Sequence, residues 1–350
     1  MPKINAIATA LPEHKFRQDE IRQYVEEYFR DSGLDVKKYL PVFENAQIDE
    51  RYSAVPLEWF GKERSFQEKN DKYIESSCEL GVKSAEAALE NAGLKPQDID
   101  SIIYISTTGL STPSIDARLI NLLGLKRNIK RIPVWGLGCA GGAASLIHAF
   151  DYVTGHPEHN VLIVAVELCG LTFQQNDFSR SNFVATALFG DGAASVVVSG
   201  DEVKNSGPRI IAAQSTIWPD SLDIMGWNIV SEGMQVVFSR RIPGIVRKYM
   251  AENLQGFLKE HGLGLQDIKH IIAHPGGAKV IEAYEQALNL TNGKMDISRE
   301  VLRKYGNMSS VTVLFVLNEY LRNGNTAPND YGIITALGPG FSSESLLIRF

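Results

Sequence analysis

The sequence is poor in cysteine. Among 350 residues there are three, Cys78, Cys139 and Cys169, an odd number with no Cys-x-x-Cys pair. Disulfide-stabilised domains and structural zinc sites use cysteines in pairs, or in clusters with histidine at short spacing. The sequence therefore predicts neither a disulfide framework nor a metal site.

Long hydrophobic runs and blocks of one charge are also missing. The apolar runs have the length of β-strands, far below the ~18 residues that a membrane helix requires. The first residues, Met-Pro-Lys-Ile-Asn-Ala-Ile, lack the apolar length of a signal peptide. Lys and Arg total 35 against 41 Asp and Glu, a net charge of −6. These absences predict a cytoplasmic protein with no membrane span and no nucleic-acid partner.

What the chain does have is apolar residues, 44% of the total, and an internal repeat. The segment Leu94–Ile103 reappears as Leu263–Ile272, at an offset of 169. The apolar run Val161–Glu167 corresponds to Tyr331–Leu337 at an offset of 170, and both have the composition of buried parallel strands. Such a period is too long for a solenoid and indicates two related halves.

Strand and helix patterns alternate in each half. Helical periodicity occurs in Glu75–Asn91, Ile115–Leu123, Gly142–Tyr152, Pro243–His261, Lys279–Leu290 and Ser309–Arg322. The alternation predicts an α/β fold in which each half is a mostly parallel sheet with helices on its faces. The polar, turn-rich stretch 200–208 marks the boundary, which divides the chain into 1–205 and 206–350.

Cys139 is a candidate nucleophile. A short strand pattern and the tight turn Gly136–Gly138 precede it, and a helix pattern follows, so that Cys139 is predicted to be the first residue of a helix. Unpaired backbone N–H groups and the helix dipole stabilise a thiolate there, so the pKa of Cys139 is expected to fall. The alternative interpretation is a buried structural cysteine.

Two further residues extend this candidate site. His274 follows a buried strand pattern and precedes Pro275-Gly-Gly, at the strand end where α/β sheets present functional groups. Asn307 precedes a helix, and a helix N-cap is its simplest interpretation. Asn307 follows Cys139 at an offset of 168, close to the period of the repeat, which predicts equivalent helix starts in the two halves. The repeat would then bring thiol, imidazole and amide together.

Two other enzyme classes share parts of this pattern. Gly136–Gly141 is also a literal Gly-x-Gly-x-x-Gly, as in NAD-binding dehydrogenases, but the acidic residue that should follow it after roughly 20 residues would have to be Glu167, which is further away. A papain-like protease also uses Cys, His and Asn, but its cysteine signature is missing here. Neither class explains the repeat together with all three candidate residues.

Five motifs in order resemble the chalcone and stilbene synthase family, the type III polyketide synthases. They are Gly-Leu-Gly-Cys139-Ala-Gly-Gly, Leu188-Phe-Gly-Asp-Gly-Ala-Ala, Ala273-His-Pro-Gly-Gly, Gly306-Asn-Met-Ser-Ser and Leu337-Gly-Pro-Gly-Phe. The resemblance implies a thiolase fold, with duplicated βαβαβ halves in a layered αβαβα structure, and a homodimer. It also implies iterative decarboxylative condensation of malonyl-CoA onto an acyl starter by Cys139, His274 and Asn307, with CoA thioesters as substrates and no bound cofactor or metal.

The resemblance also implies roles for other positions. Matches to residues of the substrate cavity, its gate and its wall are Phe189, Cys169, Leu171, Thr172, Ser309, Gly338, Pro339 and Gly340. Val236 stands where plant members have a second gate phenylalanine, and Thr112 where the partner subunit inserts a bulkier residue. Of three basic CoA-binding positions only Lys38 is basic, the others being Pro41 and Asn45.

These departures suit a long acyl chain better than a coumaroyl group. Together with stretches similar to bacterial members, they indicate an alkylpyrone synthase primed by a fatty acyl-CoA, or by an acyl group on a carrier protein. The nearest alternative within the fold is a ketoacyl-carrier-protein synthase III. That family has His-Gln-Ala-Asn where this chain has His274-Pro-Gly-Gly, and it lacks the Gly338–Gly340 loop.

Overall fold

A computed structural model describes residues 1–30, 35–290, 293–323 and 326–350. Its centre is a sheet of nine strands in the order β11-β12-β13-β8-β1-β7-β6-β4-β5. The strands of the chain are β1 Lys3–Ala10, β2 His14–Arg17, β3 Glu50–Ser53, β4 Ser101–Ile105, β5 Lys130–Val134, β6 Asn160–Leu168, β7 Asp191–Ser199, β8 Arg209–Ile217, β9 Met225–Val230, β10 Gly233–Phe238, β11 Ile268–Ala273, β12 Tyr331–Gly338 and β13 Ser342–Arg349. Two small antiparallel sheets of two strands each, β2 with β3 and β9 with β10, lie outside this sheet.

The repeat in the sequence is a repeat in the structure. The short 3₁₀ helices Pro96–Asp98 and Leu265–Asp267 each lead into a parallel strand, β4 and β11. The strands β1, β4, β6 and β7 correspond in order to β8, β11, β12 and β13, and the two sets meet where Lys3 pairs with Arg209. The duplicated α/β fold is therefore confirmed.

The prediction of mostly parallel sheets is wrong. β4 is parallel to β5 and β6, and β11 to β12, but β7, β13, β1 and β8 all pair antiparallel. In the second half the reason is local: the connection from Gly338 at the end of β12 to Ser342 at the start of β13 is so short that it can join only antiparallel strands. Runs of buried apolar residues do not reveal strand direction.

The helices form layers on both sides of the sheet. Their bounds are α1 Gln18–Tyr28, α2 Pro41–Asn45, α3 Phe66–Ala92, α4 Ile115–Leu123, α5 Gly141–Gly155, α6 Arg180–Leu188, α7 Ile242–Glu260, α8 Ala278–Ala287, α9 Asp296–Tyr305 and α10 Thr312–Arg322. Helices α5 and α10 share one buried cluster with one face of the sheet. The opposite face packs against α3 and α4 in the first half, and against α7 and α8 in the second. This is the layered arrangement of the predicted fold.

Several predicted helix bounds need correction. Helix α3 begins at Phe66, well before the predicted Glu75, because Ser65 and Glu68 form a capping box at its N-terminus. Helix α8 ends at Ala287, and Ser309–Val311 is a 3₁₀ turn ahead of α10. Helices α1, α2, α6 and α9 lie outside the predicted segments; α1 and α9 are largely polar, although their few apolar residues recur at helical spacing.

Candidate active site

Cys139 lies in a 3₁₀ turn, Gly138–Ala140, that runs directly into α5. The turn needs a left-handed residue, and Gly138 supplies it with φ of 49°. The thiol is buried and receives hydrogen bonds from the side chains of Ser309 and Asn307. The structure thus places Cys139 two residues before the first residue of α5, Gly141, rather than at the helix start itself, and in contact with residues from the second half of the chain.

The expected fall in the thiol pKa does not occur in this closed site. Burial raises the pKa of Cys139 to about 12, and the nearby carboxylate of Glu167 acts in the same direction. The hydrogen bonds from Ser309 and Asn307 lower the pKa, but desolvation of the charged form outweighs them. The sequence shows that Cys139 lies near a helix start, but it does not show that the thiol is buried. Burial has the larger effect on the pKa of Cys139.

His274 follows β11, and its backbone N–H donates to the carbonyl of Thr335 at 2.9 Å, which continues the pairing with β12. Its imidazole is 3% exposed, and neither ring nitrogen bonds any described residue. Burial lowers the pKa of His274 to about 3, so the ring is neutral at pH 7. A buried ring with unused donor and acceptor capacity is expected to find its partner in a substrate.

Asn307 connects these two residues. Its amide nitrogen donates to the carbonyl of Gly276 at 3.3 Å, in the turn that follows His274. Its amide oxygen accepts from the N–H of Ser309 at 2.8 Å, the first residue of the Ser309–Val311 turn. The Asn307 N–H donates to the carbonyl of Leu188 at 2.8 Å, next to Phe189. The N-cap position of the turn is Met308, so Asn307 is not the predicted helix N-cap but a contact of Cys139 and of the His274 turn.

The predicted equivalence of Cys139 and Asn307 is wrong. The 3₁₀ turns that begin at Gly138 and Ser309 correspond to each other, and each leads into a central helix, α5 and α10. Cys139 is the second residue of its turn, so its counterpart in the second half is Ser310. A β-carbon on Gly141 would lie 3.1 Å from that of Ser310, so the two helix starts do converge as predicted.

Glu167 is a site residue whose surroundings sequence reasoning missed. Its carboxylate is fully buried at the end of β6 and accepts hydrogen bonds from Ser310 Oγ at 2.6 Å, Thr108 Oγ1 at 2.9 Å and the Thr107 backbone at 3.0 Å. Burial raises the pKa of Glu167, and these donors oppose the shift. A carboxylate held this way is not free to bind a ribose, which removes the dehydrogenase alternative.

A cavity opens beside these residues, with about 810 Å³ of space between its lining atoms, partly open to solvent. The predicted residues Phe189, Cys169, Thr172 and Val236 line it. The triad candidates do not; they lie adjacent to it, next to Phe189 and Cys169.

Leu171 does not line this cavity, but it lines a smaller pocket beside it. Residues Cys169–Thr172 form a 3₁₀ helix after β6, and this geometry turns successive side chains in different directions. Cys169 and Thr172 reach the cavity, whereas Leu171 packs against the core under α3 and borders the second pocket, which shares Thr172 with the first.

The remaining predicted residues occupy three places. Ser309 contacts the thiol of Cys139. The loop Gly338–Gly340 packs behind the Cys139 turn, where a β-carbon on Gly138 would lie 2.7 Å from the Pro339 ring. Thr112 and Lys38 are exposed, away from the cavity lining.

The two halves of the chain both match one protein family. "Chalcone and stilbene synthases, N-terminal domain" matches residues 2–202, and the C-terminal domain of the same name matches residues 209–350. The chain belongs to the chalcone and stilbene synthase family. It is an enzyme that transfers acyl groups, a type III polyketide synthase with malonyl-CoA and an acyl-CoA as substrates, and the synthase III alternative is set aside.

Individual relatives cover nearly the whole chain. A protein of Bacillus subtilis (strain 168), provisionally named chalcone synthase, is 41% identical and covers 100% of this chain and 99% of its own. A 1,3,6,8-tetrahydroxynaphthalene synthase of Streptomyces peucetius subsp. caesius is 38% identical over 99% of this chain and 93% of its own.

The solved structure of the 1,3,6,8-tetrahydroxynaphthalene synthase of Streptomyces coelicolor A3(2), a bacterial type III polyketide synthase, superimposes with a TM-score of 0.95. It is 29% identical, and the match covers 99% of each chain. This likeness confirms the predicted thiolase-type architecture. Among the described residues, no helix combines the length and the apolar character needed to span a membrane.

Proposed function

We propose that Cys139 carries the growing chain, that His274 takes up its proton, and that His274 and Asn307 stabilise the enolate. Cys139 attacks the acyl-CoA starter, a thioester forms on the sulfur, and the CoA thiolate leaves with the proton that His274 received. The unused ring nitrogens of His274, buried beside Asn307, support this assignment most directly. Both residues can donate to an oxygen placed between them.

The extension step balances without an external oxidant or reductant. Malonyl-CoA loses carbon dioxide, and the electron pair of the broken C–C bond forms an enolate, whose oxygen accepts hydrogen bonds from Asn307 and His274. The enolate carbon attacks the Cys139 thioester and displaces the thiolate. Transfer of the lengthened chain back to Cys139 begins the next round, and cyclisation ends the series. CoA thioesters suffice for every step, so we propose no metal or redox cofactor.

The starter is proposed to be a long-chain fatty acyl-CoA, which gives an alkylpyrone-type product. The support is the direction of the cavity: from Cys169 and Phe189 it continues to the inner face of α1, where Ile21, Tyr24 and Val25 line it. An aliphatic chain buries apolar surface in such a channel, at roughly 0.8 kcal/mol per CH₂. The names of the tetrahydroxynaphthalene synthases refer to other products, so the product of this chain has to be measured.

The gate to this channel retains an aromatic pair although Val236 is small. The ring of Phe238, two positions further along β10, lies 5.5 Å from the ring of Phe189. Phe238 therefore partly fills the space that the family's second phenylalanine would take. We propose that Phe189 and Phe238 separate when an acyl chain passes.

A homodimer is also proposed. Strand β5 forms an edge of the nine-stranded sheet, and Trp135, which follows it, is 49% exposed. Leu122 on the neighbouring helix α4 is 58% exposed. An open strand edge beside exposed apolar residues suits pairing with a second copy. Light scattering after size exclusion should give twice the chain mass, and Trp135→Glu should shift it towards the single-chain value.

Product analysis tests the starter. Purified protein receives malonyl-CoA and acyl-CoA starters of increasing length, and mass spectrometry identifies the products. We expect triketide and tetraketide pyrones from long starters, and none with Cys139→Ala. Ile21→Trp should block the channel and shift the preference to short starters, whereas Glu27→Trp, on the exposed side of α1, should not. Equal use of all lengths by Ile21→Trp would contradict this route for the acyl chain.

A further inference from the structure

Four exposed basic residues, called the stripe below, lie at the start of α7: Arg240, Arg241, Arg247 and Lys248. Arg240 and Arg241 lie in the turn that leads into the helix, and Arg247 and Lys248 lie in the second turn of the helix itself. Gly244, which is also exposed, lies between Arg241 and Arg247 in the chain. Because it has no side chain, it does not cover the stripe. In a chain with a net charge of −6, this is a local concentration of positive charge.

Most of this charge is not neutralised by acidic groups of the protein. Arg241 forms an ion pair with Asp223, but Arg247 donates to the uncharged Gln286 at 2.6 Å. The ammonium of Lys248 lies 4.5 Å from the centre of the Tyr249 ring. Arg240 makes no hydrogen bond or ion pair with any residue that the structure describes. Three cations therefore remain available to an anionic ligand.

The stripe is a direct continuation of the cavity wall. Val236 lines the cavity, and the ring of Phe238 contacts Phe189. Arg240 follows Phe238 closely in the chain, and about four residues of chain span at most ~14 Å, so Arg240 lies within that distance of Val236. A thioester that enters past Phe189 and Phe238 would leave its other end close to the stripe.

We propose that this stripe binds the phosphate groups of the phosphopantetheine-containing substrate. The inference rests on the proposed function, because the substrates are then thioesters whose remote end carries phosphates. Arginine binds phosphate through paired N–H donors, and three arginines stand in the stripe. The same phosphate chemistry occurs in CoA and in the prosthetic group of a carrier protein.

Substrates with and without phosphate test the proposal. Condensation is measured with malonyl-CoA and with malonyl-N-acetylcysteamine, which keeps the thioester but lacks the phosphates. Arg240→Glu and Lys248→Glu should each raise KM for malonyl-CoA about tenfold. KM for malonyl-N-acetylcysteamine and kcat should stay unchanged. Lys204→Glu, an equal change of charge in the exposed loop after β7, is the matched control and should leave both substrates unaffected.

Carrier-bound substrates distinguish the two sources. If KM rises for malonyl-CoA alone, the stripe serves CoA; if it rises for a malonyl carrier protein alone, it serves the carrier; a rise for both indicates shared phosphate recognition. Equal KM values in wild type and both variants would overturn the proposal. Should wild type form no condensed product, the proposed function fails instead, and the stripe is then tested by calorimetric titration of 3′,5′-ADP. Wild type should bind it more tightly than Arg240→Glu, and equal binding would reject the stripe.

Discussion

The α-carbon of Gly142 lies so close to the carbonyl oxygen of Ser310 that a methyl group on it would overlap that oxygen. The same methyl would lie 2.7 Å from Val313 on α10. This contact joins the starts of α5 and α10, and with them Cys139 from one half and Asn307 from the other. The active site thus depends on a glycine that carries no chemistry.

Gly142→Ala should therefore destabilise the protein. The obstacle is backbone rather than a movable side chain, so the helix starts must separate, at a cost of about 1–3 kcal/mol. The change should appear in the free energy of unfolding from urea titration, and activity should fall as Cys139 moves from Asn307. Gly155→Ala, at the other end of α5 with no atom within 4 Å of the new methyl, is the control. Equal stability of the two variants would contradict this role of Gly142.

His274 should make stability depend on pH in the acid range. Burial holds the pKa of His274 at about 3 in the folded chain, below its ordinary value of 6.5. The unfolded chain therefore binds the proton first, and stability falls as pH drops from about 6.5 towards 3. At pH 5 the loss is about 2 kcal/mol. The expected result is a smaller fall in unfolding free energy between pH 7 and pH 5 for His274→Gln than for wild type.

The exposed His148 on α5 provides the control. His148→Gln makes the same change of side chain at an exposed position and serves as the comparison. If His274→Gln and His148→Gln behave alike, the buried ring is charged in the folded state, and our assignment of a neutral imidazole is wrong.

Much of this site could be predicted because its signals are local. Cys139, His274 and Asn307 each lie in a short motif at a strand or helix end, and the repeat places those ends on one side of the sheet. Strand direction could not be predicted, because β7 and β13 have the same buried apolar character in either direction. The sequence also could not show that Ser310, and not Asn307, is the counterpart of Cys139, because this depends on where a 3₁₀ turn begins.

The partners of Glu167 were out of reach for a different reason. A single acidic residue in an apolar strand gives no sign of the hydroxyl groups that bind it, and Ser310 is 143 residues away in the chain. The cavity beyond Cys169 was missed because α1, which lines it, was not among the predicted helices. Long-range contacts between polar residues leave no periodicity in the sequence.

The charge of Glu167 should suppress the reactivity of Cys139. The carboxylate contributes to the raised pKa of the thiol, and Glu167→Gln removes the charge while it keeps the shape. The variant thiol should therefore react with iodoacetamide at lower pH than the wild-type thiol. Labelling of Cys139 is followed by mass spectrometry across a pH series. Glu344→Gln, at a buried carboxyl in β13, is the control, and an equal shift in that variant would count against a direct effect of Glu167.

Arg51 should be essential for holding Phe189 in place. Its guanidinium is buried and donates to the carbonyls of Thr186 at 2.6 Å and Phe189 at 2.8 Å, at the end of α6. Burial lowers the pKa of Arg51 to about 9, and the carboxylate of Asp191 opposes the shift. Arg51→Met keeps the length of the side chain but leaves both carbonyls without a donor. The expected loss in unfolding free energy is about 3 kcal/mol.

The effect on the gate separates Arg51 from an ordinary stabilising residue. Phe189 and Asn307 pair through their backbones, so release of the Phe189 carbonyl should also disturb the amide that faces the substrate. We expect kcat for condensation to fall in Arg51→Met even at temperatures where the variant is fully folded by circular dichroism. Arg17→Met, which breaks only an exposed ion pair with Asp19, should change neither stability nor kcat measurably. If kcat is unchanged in a folded Arg51→Met protein, Arg51 contributes to stability alone. The position of Asn307 would then be fixed by its own hydrogen bonds with Leu188 and Ser309.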